Sequence, residues 1–192
     1  MNTSKKQKIW FTADTHFFHS NILKYTDRPF TDTVVHDDIL FQNWNGRVAK
    51  GDIVYVLGDF SFGNSEYNKF LFNKLNGCKH LIRGNHDRDK TVQRRFQSVS
   101  DIKMVKIKDE DAPNGTQLIV CCHYAMKVWP QAHYGAWHLY GHSHGNLSNE
   151  SPNTMDVGVD NINKLGLGYF PIEYNQIKDI FKTENKEWLG TR

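Results

Sequence analysis

Residues 80–87 have the sequence HLIRGNHD, in which a short apolar run leads into the polar tetrapeptide Gly84-Asn85-His86-Asp87. The apolar run predicts a β-strand over residues 80–83, and the polar residues then follow its carboxyl end. At average residue frequencies, Gly-Asn-His-Asp occurs by chance in about one chain per thousand of this length. Because α/β folds place functional side chains after the carboxyl ends of strands, we expect a functional site at this turn.

The sequence on both sides of this segment predicts an α/β fold in which helices cluster early and strands late. Before and around it, strands alternate with helices; after residue 102, strands and loops dominate. The predicted strands cover residues 8–13, 52–57, 80–83, 102–107, 117–122, 137–140 and 154–157, with a turn at 113–115. The predicted helices cover residues 32–50 (closed by Gly51), 65–76 (with Gly77 at C′), a polar segment up to about 96, and 171–181 (with Pro171 at N1). We therefore expect a sandwich of two sheets flanked by helices.

The length and composition are those of one globular domain. The chain has 192 residues, 39% of them hydrophobic and 23% charged, so we expect a single domain over residues 1–192 with a polar, frayed tail from about residue 182. We expect no membrane contact, because no apolar stretch is long enough to cross a bilayer. The polar first residues do not resemble a signal peptide, so a cytoplasmic location is expected. The three cysteines, two of them adjacent, do not suggest a disulfide framework, and the net charge of +3 permits an anionic partner without demanding nucleic acid.

Seven oxygen or nitrogen donors share the same local context, directly after a predicted strand. Asp14 and His16 are two residues apart, as are His142 and His144, so each pair can converge on one ion. The remaining donors are Asp59, Asn85 and His123. Any one of these residues alone is more typical of a turn cap or a buried structural side chain, but the ordered set points to a metal site. Asp, Asn and His ligands suit Mn, Fe or Zn, and Gly58, Gly84 and Gly141 permit tight turns and close backbone approach beside three of them.

The order of these blocks resembles the calcineurin-like metallophosphoesterases. Asp-x-His, Gly-Asp, Gly-Asn-His-Asp, a lone His and Gly-His-x-His all occur in the family's order, between residues 14 and 144. The resemblance implies a double β-sheet sandwich flanked by helices and a centre of two divalent metal ions. The oxygen and nitrogen donors favour Mn, with Fe, Zn or Ni as alternatives. It implies that Asp14, His16 and His144 hold one metal, that Asn85, His123 and His142 hold the other, and that Asp59 bridges both. His86 would be a non-ligand catalytic histidine near the leaving group, oriented by Asp87.

Two details indicate the branch of the family. The family's protein serine/threonine phosphatases carry an Arg-Gly pair a few residues after the Gly-Asp block. Here residues 60–64 (FSFGN), directly after Gly58-Asp59, contain no arginine, which counts against that branch. Residues 10–19 (WFTADTHFFH) resemble the small single-domain bacterial and phage branch. His19 has two interpretations that the sequence leaves open, a contact with substrate or a surface cap of a turn with Asn21.

The expected substrate is a phosphate ester. Two dications beside two ligand carboxylates leave a net charge of about +2, which favours an anion. We expect a phosphoesterase that prefers diesters of nucleotides or short nucleic acids; the alternatives are a small-molecule phosphomonoesterase and a non-catalytic metal-binding scaffold. Asn85 is a further candidate substrate contact. Of Trp129, Tyr134 and Trp137, which lie between His123 and His142, we expect at least one to line the cleft and stack on a base, the alternative being that all three belong to the core.

Overall fold

The computed structural model describes residues 6–148 and 151–190, and within these only the backbone of residues 113 and 184–190. The strands are β1 (Ile9–Thr12), β2 (Ile53–Val56), β3 (Cys78–Ile82), β4 (Ser98–Ser100), β5 (Ile102–Lys108), β6 (Thr116–Cys122), β7 (Trp137–Tyr140), β8 (Thr154–Asp156) and β9 (Ile172–Glu173). The helices are α1 (Ile22–Tyr25), α2 (Thr33–Arg47), α3 (Ser65–Lys74), α4 (Lys90–Gln93), α5 (Val159–Lys164) and α6 (Tyr174–Gly190), with 3₁₀ turns at Pro113–Gly115 and Ala132–Tyr134.

These elements form two sheets. The first has the strand order β4-β3-β2-β1-β9, in which β1 to β4 are parallel and β9 is antiparallel to β1. The second has the order β5-β6-β7-β8, in which β5 is antiparallel to β6 and the other pairs are parallel. The predicted architecture, a two-sheet sandwich flanked by helices, is confirmed.

Two apolar layers hold the sandwich together. Between the sheets, Phe11 and Leu57 of the first sheet belong to one buried cluster with Ile119 and Leu139 of the second. On the other face of the first sheet, residues of α2 and α3 such as Trp44 and Leu71 pack with Val54 and Val56 of β2. β1, β2 and β3 are therefore covered on both faces, as is typical of strands inside a parallel sheet.

Side-chain N-caps fix where helices α2 and α3 begin. The Asp32 carboxylate caps α2 by accepting the N–H groups of Val34 and Val35, and the Asn64 side chain caps α3 by accepting from Tyr67. The predicted helices over 32–50 and 65–76 thus exist, but they end earlier, at Arg47 and Lys74.

Four short helices and strands were not predicted, namely α1, β4, α5 and β9, and α4 ends at Gln93 rather than near residue 96. Pro171 does not begin the last helix. Residues 172 and 173 instead form β9, where Ile172 pairs with Phe11, and α6 begins at Tyr174. The two strands among them are stabilised by pairing, β4 with β3 and β9 with β1, which local periodicity does not encode. Helix α6 continues to Gly190 through the segment expected as a frayed tail.

The carboxyl ends of the parallel strands of both sheets meet at one edge of the sandwich. There, the Asp14 N–H donates to the Gly58 carbonyl, the Gly141 N–H donates to the His123 carbonyl, and Ala13 pairs with Gly158 across the two sheets. This edge is where every predicted donor lies. Within the described ranges, no helix combines the length and apolar character needed to cross a membrane.

Candidate active site

The predicted donors come together in two groups. In the first, the ligand atoms of Asp14, His16 and His144 lie within 4.8 Å of one another; in the second, the same holds for Asp59, His123 and His142. We call these the Asp14 group and the Asp59 group. Asn85 joins the second, because its Oδ1 lies 3.1 Å from His123 Nε2.

The Asp59 carboxylate lies between the two groups. Its Oδ2 is 3.6 Å from Nε2 of His16 in the Asp14 group and 3.7 Å from Nε2 of His123 in its own group. Its Oδ1 accepts the backbone N–H of His86, which fixes the carboxylate's orientation. One oxygen therefore faces donor atoms of both groups, the position that a bridging ligand needs.

Two atoms of the Asp14 group are buried and have no hydrogen-bond partner in the described structure, Asp14 Oδ1 and His16 Nε2. A buried polar atom without a partner is costly, by about 1–3 kcal/mol, and is rare in native proteins. The other carboxylate oxygen of Asp14 is satisfied, since it accepts the N–H of His142. A cation bound between these atoms would remove the deficit, so the donor set fits a metal ion.

The histidine tautomers also fit metal binding. His123 Nδ1 lies 2.7 Å from the Leu57 carbonyl, which can only accept, so Nδ1 carries the proton and Nε2 offers its lone pair to the site. His144 Nδ1 lies 2.6 Å from a carboxylate oxygen of Asp160, which leaves its Nε2 free in the same way. Such partners of the distal nitrogen are typical of metal-binding histidines.

The backbone is strained where the donors lie. Five of the seven, Asp14, His16, Asp59, His142 and His144, have φ values of 54°, 48°, 52°, 67° and 50°. This left-handed region is uncommon for residues other than glycine and costs of order 1 kcal/mol or more per residue. Strain concentrated in this way is a feature of functional sites.

Glycines permit the close approach of the loops that carry these donors. A Cβ atom on Gly58 would lie 2.2 Å from His123 Nδ1, and one on Gly84 would lie 2.3 Å from Asp59 Oδ1. Any side chain at either position would displace a donor. The predicted reason for the glycines before the donors is thus confirmed.

Burial and neighbouring charge alter the protonation of the donors. Burial, followed by the nearby carboxylates of Asp156 and Asp59, raises the pKa of Asp14 well above its usual value. Burial and the Arg28 charge lower the pKa of His16, and burial together with His123 lowers that of His142. A lowered pKa favours the neutral form of these two imidazoles, which is the form that binds a metal, while the crowded carboxylates favour a cation beside them.

His19 is adjacent to the Asp14 group. Its Nδ1 lies 3.2 Å from Nδ1 of His16, so if His16 keeps Nε2 free for a metal, its Nδ1–H donates to His19. The Nε2–H of His19 then remains as a donor. Of the two interpretations that the sequence left open, this placement favours a role in the site.

A half-exposed phenylalanine, Phe62, covers this side of the site. Its ring stacks on His19 at a centroid distance of 4.0 Å and lies 4.7 Å from the ring of His86. His86 is exposed and belongs to neither donor group, and its ring centroid is 5.9 Å from that of His16. His86 is thus placed beside the donors rather than among them, and its action on a leaving group stays a prediction.

Comparison with known proteins agrees with this geometry. A model of the calcineurin-like phosphoesterase family matches residues 7–189. The chain belongs to this family. Membership supports metal-dependent hydrolysis of phosphate esters, and it confirms the resemblance drawn from the sequence motifs.

Relatives of this calcineurin-like phosphoesterase occur in an archaeon and in phages. It is 32% identical over 186 residues to an uncharacterised protein of Methanocaldococcus jannaschii, covering 92% of each chain. It is 37% identical over 178 residues to the Gene 66 protein of Mycobacterium phage D29, covering 79% of this chain and 87% of that protein. A solved protein of unknown function from Aquifex aeolicus has the same fold, with a TM-score of 0.67 at 22% identity over 91% of this chain and the whole of that one.

The expected role of Asp87 requires a correction. In this phosphoesterase the Asp87 carboxylate accepts the N–H groups of Asp59, Phe60 and Gly84, at 2.7, 3.0 and 2.8 Å. Across the described residues, its hydrogen bonds as an acceptor all come from these backbone groups, with none from the His86 ring. Asp87 therefore joins the backbone of the Asp59 loop to the Gly84 turn, and it positions the Asp59 loop rather than the His86 ring.

The expected aromatic contacts also require a correction. Trp129 and Trp137 are buried, the first donating its indole N–H to the Ala136 carbonyl and the second stacking on Tyr174. Tyr134 is exposed but lies beside the beginning of β6, at the opposite end of the sheet from His123. The ring of this segment that contacts the donors is Tyr124, whose centroid lies 5.0 Å from that of His123 and 4.8 Å from that of His142.

Sequence reasoning missed Phe62 and Tyr124 as site residues, and also Arg28 and Asp160 behind the Asp14 group. Tyr124 directly follows the donor His123, and Phe62 follows Asp59 by three residues, so proximity to a donor was an available signal. Arg28 and Asp160 lie outside every motif, and the sequence carries no comparable signal for them.

Proposed function

We propose that this calcineurin-like phosphoesterase is a phosphodiesterase acting on nucleotides or short nucleic acids, with two divalent ions, Mn²⁺ preferred. The observation that carries the proposal is the position of Asp59 Oδ2, within 3.7 Å of a histidine nitrogen from each donor group. A single carboxylate oxygen between two converging donor sets is what a dinuclear centre requires. The oxygen and nitrogen donors favour Mn²⁺, with Fe, Zn or Ni as alternatives.

Each residue of the site has a distinct role in this proposal. Asp14, His16 and His144 would hold one ion, Asn85, His123 and His142 the other, and Asp59 both. When bound, the ions would supply positive charge for the phosphoryl oxygens and lower the pKa of water. His86, exposed beside the donors, can donate a proton to the leaving oxygen, and the Nε2–H of His19 can hydrogen-bond a non-bridging oxygen.

The placement of aromatic rings supports a diester as substrate. Phe62, 38% exposed, covers the Asp14 group, and Tyr124, 47% exposed, contacts the Asp59 group. A phosphodiester carries an organic group on each side of phosphorus, and a nucleotide presents a flat base that stacks on such rings. A ring beside each donor group therefore suits a nucleotide diester better than a small monoester.

Turnover in a defined metal background tests the proposal. The protein is treated with EDTA, dialysed, and assayed with and without Mn²⁺ on bis-p-nitrophenyl phosphate, p-nitrophenyl phosphate, linear dinucleotides and cyclic nucleotides. We expect no turnover without metal, recovery with Mn²⁺, and kcat/KM for diesters higher by about tenfold, or about 1.4 kcal/mol in transition-state binding. Full turnover after chelation would exclude the dinuclear mechanism. A preference for the monoester would favour a phosphomonoesterase, and metal binding without turnover of any ester would favour a scaffold.

A further inference from the structure

A buried arginine outside every predicted motif lies directly behind the Asp14 group. Arg28 follows α1, and its side chain is fully buried. The guanidinium forms a bidentate pair with the Asp160 carboxylate, with Nε 2.8 Å from Oδ1 and Nη2 2.8 Å from Oδ2. Arg28 and Asp160 are 132 positions apart in the chain, so this pair joins two distant segments.

Two of the other three guanidinium N–H groups point at the turn that carries Asp14 and His16. Nη2 donates to the Asp14 carbonyl at 2.6 Å and Nη1 donates to the Thr15 carbonyl at 3.0 Å. The last N–H, on Nη1, lies 2.7 Å from His36 Nε2. A guanidinium has five N–H donors and no acceptor. With these contacts, each of the five Arg28 N–H groups has a hydrogen-bond partner.

Asp160 continues the network to the third residue of the group. Its Oδ2 accepts the Nδ1–H of His144 at 2.6 Å. Arg28 thus contacts the backbone of Asp14 directly and reaches the His144 ring through one carboxylate. In the Asp59 group, by contrast, His123 Nδ1 donates to the Leu57 carbonyl, and among the described residues Arg28 and Asp160 form no hydrogen bond or ion pair with that group.

The backbone shows why such support is needed. Asp14 and His16, on either side of Thr15, both have left-handed φ values, 54° and 48°. Residues other than glycine leave this conformation unless their surroundings hold them there. The two carbonyls bound by Arg28 are those of Asp14 and Thr15, within this strained turn.

We infer that Arg28 and Asp160 are positioning residues that hold the metal-binding atoms of the Asp14 group in place. The Asp59 group is held by other contacts. The Asp160 carboxylate keeps the proton of His144 on Nδ1, so that Nε2 can bind a metal, and Arg28 holds both that carboxylate and the strained Asp14-Thr15-His16 turn. This inference rests on the proposed metal-binding role of the Asp14 group.

The test uses the conservative variants Asp160→Asn and Arg28→Lys of the full chain. Mn²⁺ binding to metal-free protein is measured by isothermal titration calorimetry, with folding checked by circular dichroism and thermal melting. We expect each variant to weaken one of the two Mn²⁺ sites by about 10- to 100-fold, the usual effect of losing a hydrogen-bonded partner behind a ligand, and to leave the other site unchanged. We expect Arg28→Lys to lose the function of Arg28, because lysine lacks the planar fork of N–H donors.

Asp101→Asn is the matched control. Asp101 forms the same bidentate pair with Arg83, with Nε–Oδ1 and Nη2–Oδ2 distances of 2.8 and 2.6 Å, but it is exposed to solvent. This variant should bind two Mn²⁺ ions like the wild type. Equal weakening of both sites in Asp160→Asn, or wild-type binding in both network variants, would overturn the inference while leaving the proposed function intact.

A second measurement needs neither metal nor a variant. Long-range ¹H–¹⁵N spectra of the metal-free wild type report which imidazole nitrogen of each histidine carries the proton. We expect Nδ1–H for His144, and a shift toward Nε2–H in Asp160→Asn, whose amide can donate to Nδ1. A wild-type His144 protonated on Nε2 alone would overturn the inference even if a variant failed to fold. Absence of Mn²⁺ binding in the wild type would instead count against the proposed function.

Discussion

The two ends of the sandwich differ in whether their polar side chains are paired. At the carboxyl end of the parallel strands, Asp14 Oδ1 and His16 Nε2 are buried without hydrogen-bond partners in the described structure, and five donor residues have left-handed backbones. At the opposite end, Lys178 lies 2.6 Å from Asp109 and 2.8 Å from Asp111, and the Tyr174 hydroxyl donates to Asp109. One end leaves polar groups unsatisfied and the other pairs them.

This difference in pairing indicates that the carboxyl end serves ligand binding and the opposite end serves stability. Thr12 Oγ1 and Ser100 Oγ are the other buried side-chain atoms without a partner in the described part of the chain, and they too lie at carboxyl ends of strands. Unsatisfied atoms and strain persist only where the surrounding fold imposes them, and they concentrate where a ligand is to be bound. Changes at the carboxyl end should therefore alter activity, and changes at the opposite end should alter stability.

The largest effect should follow Asp59→Asn. The amide cannot serve as a charged bridge between the two donor groups, so metal content should fall below two ions per chain and turnover should be abolished while the protein stays folded. Elemental analysis and a thermal melt measure this. Asp38→Asn, an exposed aspartate on α2, is the control and should retain both metals. Two bound ions in Asp59→Asn would remove Asp59 from the bridging role.

The next largest effect should follow His86→Gln. His86 lies outside both donor groups, so metal content should be retained while kcat falls by about 10²- to 10⁴-fold, the usual contribution of a positioned acid. The loss should be smaller for nitrophenyl esters than for nucleotides, because nitrophenolate needs less protonation. The same loss for all leaving groups, or a missing metal, would contradict the acid role.

A smaller and substrate-dependent effect should follow Phe62→Ala and Tyr124→Ala. If these rings stack on bases, each variant should lose about 1–3 kcal/mol of binding, or about 5- to 150-fold in kcat/KM, on dinucleotides and little on a small chromogenic ester. Phe70→Ala and Tyr134→Ala change exposed rings that belong to no donor contact and should leave both activities unchanged. Equal losses on both substrates would show that the rings support the donors rather than bind a base.

The smallest effect belongs to the opposite end. Although burial opposes it, hydrogen bonds from Lys178 and Tyr174 lower the pKa of Asp109 to about 2. A lowered folded-state pKa stabilises the protein above the ordinary aspartate range, and the contribution disappears as pH falls from about 4 toward 2.

Asp109→Asn should therefore lower Tm at pH 7 by about 2–4 °C, the shift that about 1 kcal/mol produces in a chain of this size, and leave kcat unchanged. The difference between wild type and variant should shrink in melts recorded toward pH 2. A difference that is constant with pH would mean that the Asp109 charge is not the source of the stabilisation.

The positions of the donors along the chain follow from local sequence patterns. Each of Asp14, Asp59, Asn85, His123 and His142 follows an apolar run that forms a strand, and glycines precede several of them. Strand ends and glycine turns are local properties, so periodicity and composition predict them, and the shared edge of a parallel sheet then brings the donors together. The two-sheet architecture followed from the same alternation.

The surroundings of the donors, by contrast, depend on long-range packing. Asp87 follows His86 in the chain, yet its carboxylate binds the Asp59 loop, and Trp137 lies between two donors in sequence but is buried against Tyr174. Arg28 and Asp160 meet across 132 positions. Sequence spacing fixes neither the direction of a side chain in an irregular loop nor contacts between distant segments. These depend on how the two sheets pack, because packing alone determines which side chains face the same buried space.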